Sequence, residues 1–240
     1  MRAVSRAACR LRRGRSCPLP ARRGDPRAAV SRQVHHPLFA RIFDQMAAKT
    51  EEQGAREHRE RLLKGLSGRV IEMGAGNGLD FSHYPATVNE VLAVEPEDYL
   101  RARAERAAQR ASVPIRVVDG VANRLPAEGA SFDAAVASLV LCSVPDQAAA
   151  LAEIRRVLRP AGELRFYEHV LAEERGLASL QNAVAWFWPL VGGGCHPNRS
   201  TVQTIARAGF EIHRCDWFAF RPSPIMLPVT PHVIGAARAR

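Results

Sequence analysis

Nine residues, Val70 to Gly78, constrain this chain more than any other stretch: V-I-E-M-G-A-G-N-G. Val70-Ile71-Glu72-Met73 reads as a short buried strand, and the glycines at 74, 76 and 78 end it in a turn. Without Cβ atoms, such a turn can bring backbone N–H groups close to a ligand. A tight structural turn with no ligand would use the same glycines. A dinucleotide fingerprint, G-x-G-x-x-G, would require Gly at position 79, where Leu79 stands. No G-x-x-x-x-G-K follows a strand, which sets a Walker loop aside.

Around this turn, strand and helix patterns alternate. Strands are expected at Val91–Glu95, Ile115–Val118, Phe132–Ser138 and Glu163–His169, with helices at Tyr99–Ala111 and Ala148–Leu158, the latter stopped by Pro160-Ala161-Gly162. Short apolar strands separated by helices indicate an α/β fold, a mostly parallel sheet covered on both faces. Two further strands, Phe210–Phe220 and His232–Ala237, would complete seven, the final hairpin placing one antiparallel strand. Upstream, Phe39, Ile42, Phe43 and Met46 recur at helical spacing in a helical stretch expected from Leu38 to about Leu66.

Glu95 ends the second strand, where a carboxylate can accept hydrogen bonds from both ribose hydroxyls of an adenosine. Glu72 adds a second carboxylate, which would oppose a pyrophosphate and favour a cationic ligand. A sulfonium beside an ammonium, as in S-adenosylmethionine, fits that field. An NAD-linked reductase is further disfavoured because no Y-x-x-x-K occurs.

With E-x-G-x-G-x-G, the acid at Glu95, Arg124-Leu125-Pro126, Ser131-Phe132-Asp133 and Glu153 to Pro160, the chain resembles class I S-adenosylmethionine-dependent methyltransferases over residues 66–170. Through Leu139–Val144, Phe166–Val170 and Pro231–Gly235 it resembles a methyltransferase-like family of small-molecule thiol S-methyltransferases, from about His36 to Ala237. The resemblance implies a Rossmann-like class I fold with S-adenosyl-L-methionine as cofactor. Glu72, Gly74, Ala75 and Gly76 would then line the methionine part, with Glu95 on the ribose and Pro96 beside the adenine. Val121 and Ala122 would flank the adenine edge, although the superfamily often has Asp where Val121 stands; Asp119 comes two positions early. Ser138 and Leu139 would face the methyl group. Eukaryotic members of that family begin with a membrane-anchoring segment, in place of which this chain has an Arg-rich arm.

The acceptor side is less defined. His169 ends the fifth strand at the same sheet edge and reads either as a general base or as a structural imidazole. Cys142 follows the fourth strand and reads first as a small packing residue. Residues 176–198 carry no Asp, Glu, Lys or Arg, and Trp186, Phe187 and Trp188 precede Gly192-Gly193-Gly194. That segment is expected to be a core helix or a lid over an apolar acceptor, with Trp186 and Trp188 touching it. Phe39 and Phe43 could close the other side, or simply pack a helix.

Charge sets the domain plan. The formal net charge is +10, yet residues 1–32 hold ten Arg against the single acid Asp25. The remaining 208 residues carry 24 basic and 23 acidic side chains, so the excess lies on an arm. The expected organisation is a disordered arm over residues 1–34 and a methyltransferase domain over 35–240. Within that domain, 35–66 would be a helical cap, 67–170 the cofactor core, and 171–240 the lid and hairpin. A nearly neutral domain makes nucleic acid an unlikely partner and a small-molecule acceptor the expected one. No run of about 18 apolar residues suggests a transmembrane helix. Five cysteines without C-x-x-C suggest neither a disulfide framework nor a resident metal, and a reducing cytoplasm as the compartment. The function expected is methyl transfer to a small lipophilic acceptor such as a thiol; O-, N- or C-methylation of a small molecule or lipid is the alternative. Nucleic-acid binding through the arm comes third.

Overall fold

The computed structural model describes residues 37–240. The arm expected over residues 1–34 lies outside the described residues, as do the side chains of Phe39 and Phe43. Seven strands form one sheet in the order β3-β2-β1-β4-β5-β7-β6: β1 Gly68–Met73, β2 Val88–Val94, β3 Ile115–Val118, β4 Phe132–Ser138, β5 Leu158–His169, β6 Phe210–Ala219 and β7 Pro231–Ala239. The first five pair in parallel, and β7 runs antiparallel to both β5 and β6.

Side-chain alternation along each strand builds two cores. Ile71, Met73, Leu92, Val94, Ala135 and Phe166 face one way, against α4 (Gln147–Val157) and α7 (Thr201–Arg207). Val70, Val91, Ala93, Val136 and Tyr167 face the other way, against α2 (Arg56–Leu63) and α3 (Asp98–Ala108). Burying each large apolar side chain contributes about 1.5–3 kcal/mol.

The single helix expected from Leu38 to Leu66 is divided. α1 spans Pro37–Thr50, and a kinked turn at Glu51–Ala55 separates it from α2. Gly54 at the kink has φ 121°, a conformation that L side chains rarely adopt, so the helical pattern cannot run straight through it. The aromatic segment is divided as well, into α5 (Arg175–Val184) and the short α6 (Trp188–Val191). α7 and the short 3-10 turns at Leu79–His83 and Pro224–Val229 were not expected from the pattern.

Registers Met73↔Val94, Met73↔Ala137 and Ser138↔Tyr167 bring the carboxyl ends of β1, β2, β4 and β5 level. Strand order reverses direction between β1 and β4, and ligands of open α/β sheets bind outside that point. The glycine turn, Glu95, Leu139 and Glu168 all stand on this edge.

Candidate active site

The turn after β1 has the backbone its glycines foretell. Gly74, Gly76 and Gly78 take φ 58°, 56° and 81°. At Gly74 space matters as well as dihedral, because an added Cβ would lie 2.6 Å from Val140 Cγ2. The turn is tied to β2 by the Ala75 N–H donating to the Val94 carbonyl at 3.1 Å. Glu95 then closes it: its carboxylate accepts from the Gly76 N–H at 2.8 Å and the Glu97 N–H at 2.9 Å. Burial pushes Glu95 up to about 7, against the two backbone hydrogen bonds that favour its charged form. A carboxylate can accept about four hydrogen bonds, so this one keeps capacity for two hydroxyl donors. Pro96, next in the chain, offers its carbonyl to Arg101 Nη1 at 3.1 Å.

Glu72, one residue before the end of β1, is held in place by its neighbours. It is 1% exposed, and Tyr84 donates to its Oε2 at 2.7 Å. Burial, together with the neighbouring Asp80 charge, holds it well above the usual carboxylate range. It anchors the strand end, beside a network that α2 completes. Arg59 donates to Asp80 Oδ1 and Glu51 Oε1 at 2.7 Å each, and to Ser138 Oγ at 3.3 Å. Sequence reasoning gave Arg59 no role, because its partners lie 8, 21 and 79 residues away.

From α1, Asp44 reaches over the same turn, accepting from Asn77 Nδ2 at 3.0 Å and pairing with Arg103 at 2.6 Å. Partial burial raises its pKa, but the Asn77 hydrogen bond and the Arg103 charge outweigh that and leave it below the ordinary value. The N-terminal cap is thus fastened to the glycine turn by polar contacts, beyond the apolar stripe seen in the sequence.

At the end of β4, Ser138 receives Arg59, and Leu139 takes φ 59° while its N–H donates to the Tyr167 carbonyl at 2.6 Å. Glu168 holds the next turn. It is fully buried and accepts the N–H groups of Val140 and Leu141 on Oε1 at 3.1 and 2.8 Å, and of Cys142 on Oε2 at 2.9 Å. Burial and the nearby Cys142 thiol raise its pKa well above normal. Glu168 precedes His169 at the end of β5, and the three N–H groups it serves are brought to it by folding. Val121 and Ala122 are partly buried, and Val121 bridges to Arg124 in a small loop after β3. Asp119 directly follows β3, is largely exposed and lies 3.5 Å from Arg101 Nη1.

At the end of β5, His169 Nδ1 lies 3.5 Å from Cys142 Sγ and 3.4 Å from Cys195 Sγ. A hydrogen bond with Cys195, together with burial, pushes the Cys142 thiol up. Trp188 packs against Cys142, Cys195 and Val229. Trp186 does not join them: it is 80% exposed and meets Phe187 edge-on. Beside this wall stands an aromatic group that sequence reasoning missed. His58 meets Phe218 and Phe220 at 4.5 and 4.7 Å, and His232 stacks on Tyr167 and Phe218 at 5.4 and 5.5 Å. Burial holds His232 well below its usual pKa, so it is neutral. The register of β5 against β7, which folding sets, places His169 opposite His232.

Comparison with known proteins agrees with this geometry. A methyltransferase domain model matches residues 71–166. The thiol S-methyltransferase TMT1B of Mus musculus is 33% identical over 215 residues, spanning 85% of this chain and 86% of the relative. Human thiol S-methyltransferase TMT1A is 31% identical over 180 residues, 72% of each chain. A putative methyltransferase from Bacillus halodurans superposes with a TM-score of 0.63 at 14% identity, covering 77% of this chain and 99% of its own. No helix among the described residues is long and apolar enough to cross a membrane. This chain is a class I S-adenosylmethionine-dependent methyltransferase, and it belongs to the family of these thiol S-methyltransferases.

Proposed function

We propose that the chain methylates the sulfur of a small, lipophilic thiol. The observation that carries this reading is the state of the ionisable groups on the acceptor side. Glu168 is occupied by three backbone N–H groups, His232 is held neutral, and His169 Nδ1 faces two thiols. An alcohol or ammonium acceptor needs a competent base, whereas a thiol ionises near 8.5 unaided. The one-third identity to thiol S-methyltransferases along most of the chain supports the same acceptor. The apolar wall of Trp188, Val229 and Met226 suits a lipophilic substituent. The compartment we propose is the reducing cytoplasm, which keeps such thiols available.

The cofactor supplies a methyl group already activated on a sulfonium. The chain's residues align and dry the site. Glu95 would take the ribose hydroxyls, its spare acceptor capacity fitting two donors. Gly74, Ala75 and Gly76 would lie along the methionine part, where any larger side chain at 74 collides with Val140. Pro96, Val121 and Ala122 would border the adenine, while Ser138 and Leu139 stand where the methyl group would point. Arg59 would fix Ser138 from above. Bound beside these residues, the cofactor would supply its methyl group to the acceptor sulfur, and the acceptor proton would pass to solvent.

A screen of methyl transfer to alkyl and aryl thiols, phenols and amines tests the acceptor. Turnover of thiols above the others is expected. Turnover of phenols or amines in preference to thiols would overturn it.

Cofactor affinity should also depend on pH. Hydroxyl donors stabilise the charged form of Glu95, so binding lowers a pKa that stands at about 7 in the free protein. By linkage, affinity for S-adenosylhomocysteine is full above that value. It then weakens as pH falls through it, by up to about tenfold per unit until the bound-state pKa is reached. Calorimetry from pH 5.5 to 8.5 reads this slope, and a flat profile would contradict the assignment.

A further inference from the structure

Cys142, His169 and Cys195 come from three places in the sequence: the turn after β4, the end of β5 and the loop after α6. Their donor atoms all lie within 4.8 Å of one another, and the three residues are 0%, 9% and 5% exposed. The two sulfurs stand 3.5 and 3.4 Å from the same nitrogen, His169 Nδ1. With Zn–S about 2.3 Å and Zn–N about 2.05 Å, the sulfur-to-nitrogen edge of a tetrahedron is roughly 3.6 Å. Both sulfur-to-nitrogen edges therefore have the length a tetrahedral metal centre requires, and the sulfurs lie within 4.8 Å of each other.

The backbone holds them in place. The Cys142 N–H donates to Glu168, the Cys142 carbonyl accepts from the His196 N–H at 2.9 Å, and the Cys195 N–H donates to the Gly192 carbonyl at 3.1 Å. Arg199 adds hydrogen bonds to the Leu141 and Val144 carbonyls at 2.7 Å each, fixing the Cys142 turn from the other side. Packing alone would explain one buried cysteine. It does not explain two thiols converging on one imidazole nitrogen in a site rigidified on every side.

We propose that Cys142, Cys195 and His169 form a binding site for a single thiophilic cation, zinc being the natural occupant. Two sulfurs and one imidazole select zinc or copper(I) over magnesium or calcium. Three protein ligands leave a fourth position for a water or another exogenous donor. Both thiols release their protons when the cation binds. The bound cation ties the Gly192–His196 loop, and with it Trp188, to the ends of β4 and β5. The cysteines carry no C-x-x-C spacing, so the sequence alone points to no metal; the three ligands are brought together by folding.

Cobalt(II) titration of the purified full chain under reducing, metal-free conditions tests this. The expected result is about one cobalt per chain, with a thiolate-to-cobalt charge-transfer band and the visible bands of a tetrahedral site. Zinc should displace the cobalt. Cys195→Ser and Cys142→Ser should each abolish the charge-transfer intensity or reduce it severalfold, while Cys215→Ser, at a free thiol outside the cluster, keeps it. Calorimetry with S-adenosylhomocysteine on the same variants shows whether they remain folded. Wild-type protein that binds cofactor but gives no charge-transfer band overturns the metal site and leaves the methyltransferase assignment intact. A band undiminished in Cys195→Ser or Cys142→Ser overturns it equally.

Discussion

Replacing Glu95 by alanine is expected to weaken S-adenosylhomocysteine binding by roughly a hundredfold. The estimate follows from two hydrogen bonds to a charged acceptor, each contributing about 1.5–3 kcal/mol before rearrangement recovers part of the loss. The substitution does more than remove a ligand contact. Gly76 and Glu97 lose the acceptor of their N–H groups, so the hold of β2 on the glycine turn is weakened while the Ala75–Val94 hydrogen bond remains. Glu95→Gln separates the two effects. Its amide oxygen can still accept one of those N–H groups, so the turn keeps part of its anchor. It cannot ionise, so affinity should fall by about tenfold and the pH dependence near 7 should vanish. Calorimetry at two pH values and thermal melting of all three proteins read these outcomes together. Wild-type affinity in Glu95→Ala would remove Glu95 from the cofactor site.

The second large effect is on stability, and Glu168 carries it. Glu168→Ala leaves three N–H groups without a partner, two of them fully buried. Each buried unpaired group costs about 1–3 kcal/mol, although the alanine also removes a carboxyl that burial disfavours. A net loss of about 2–4 kcal/mol is expected, a fall in Tm of roughly 5–15 °C for a domain of this size. Glu168→Gln should lose about half as much, because its amide oxygen still accepts the Val140 and Leu141 N–H groups while its NH2 faces the Cys142 N–H. Differential scanning calorimetry would rank the three. A Glu168→Ala protein that melts with the wild type would show that water replaces the carboxylate, and the turn after β4 would need another explanation.

Much of the cofactor half was legible in the sequence because its logic is local. The Val70–Gly78 run specifies strand, turn and positive φ within nine residues, and all three glycines adopt it. Glu95 was legible for the same reason: it follows an apolar run of the right length. Where an expectation failed, a long-range contact or one backbone dihedral decided. Gly54 breaks a helix that apolar spacing would continue. Glu72 was visible as an acid before the turn, but the burial that raises its pKa and the Tyr84 hydroxyl that donates to it come from folding.

The sequence by itself determined an α/β sheet, the glycine turn, the acid that closes it and the location of the charge excess on residues 1–32. Those features follow from periodicity, backbone freedom and composition, which are properties of neighbouring residues. Only the tertiary structure decided what surrounds the acceptor. Trp186 and Trp188 are two residues apart, yet one is exposed and the other packs on the two thiols. Arg59 meets Asp80 and Ser138, and Cys142 and Cys195 meet at His169, across 21 to 79 residues of chain. Such meetings depend on strand register and helix docking, which are fixed by the packing of the whole sheet.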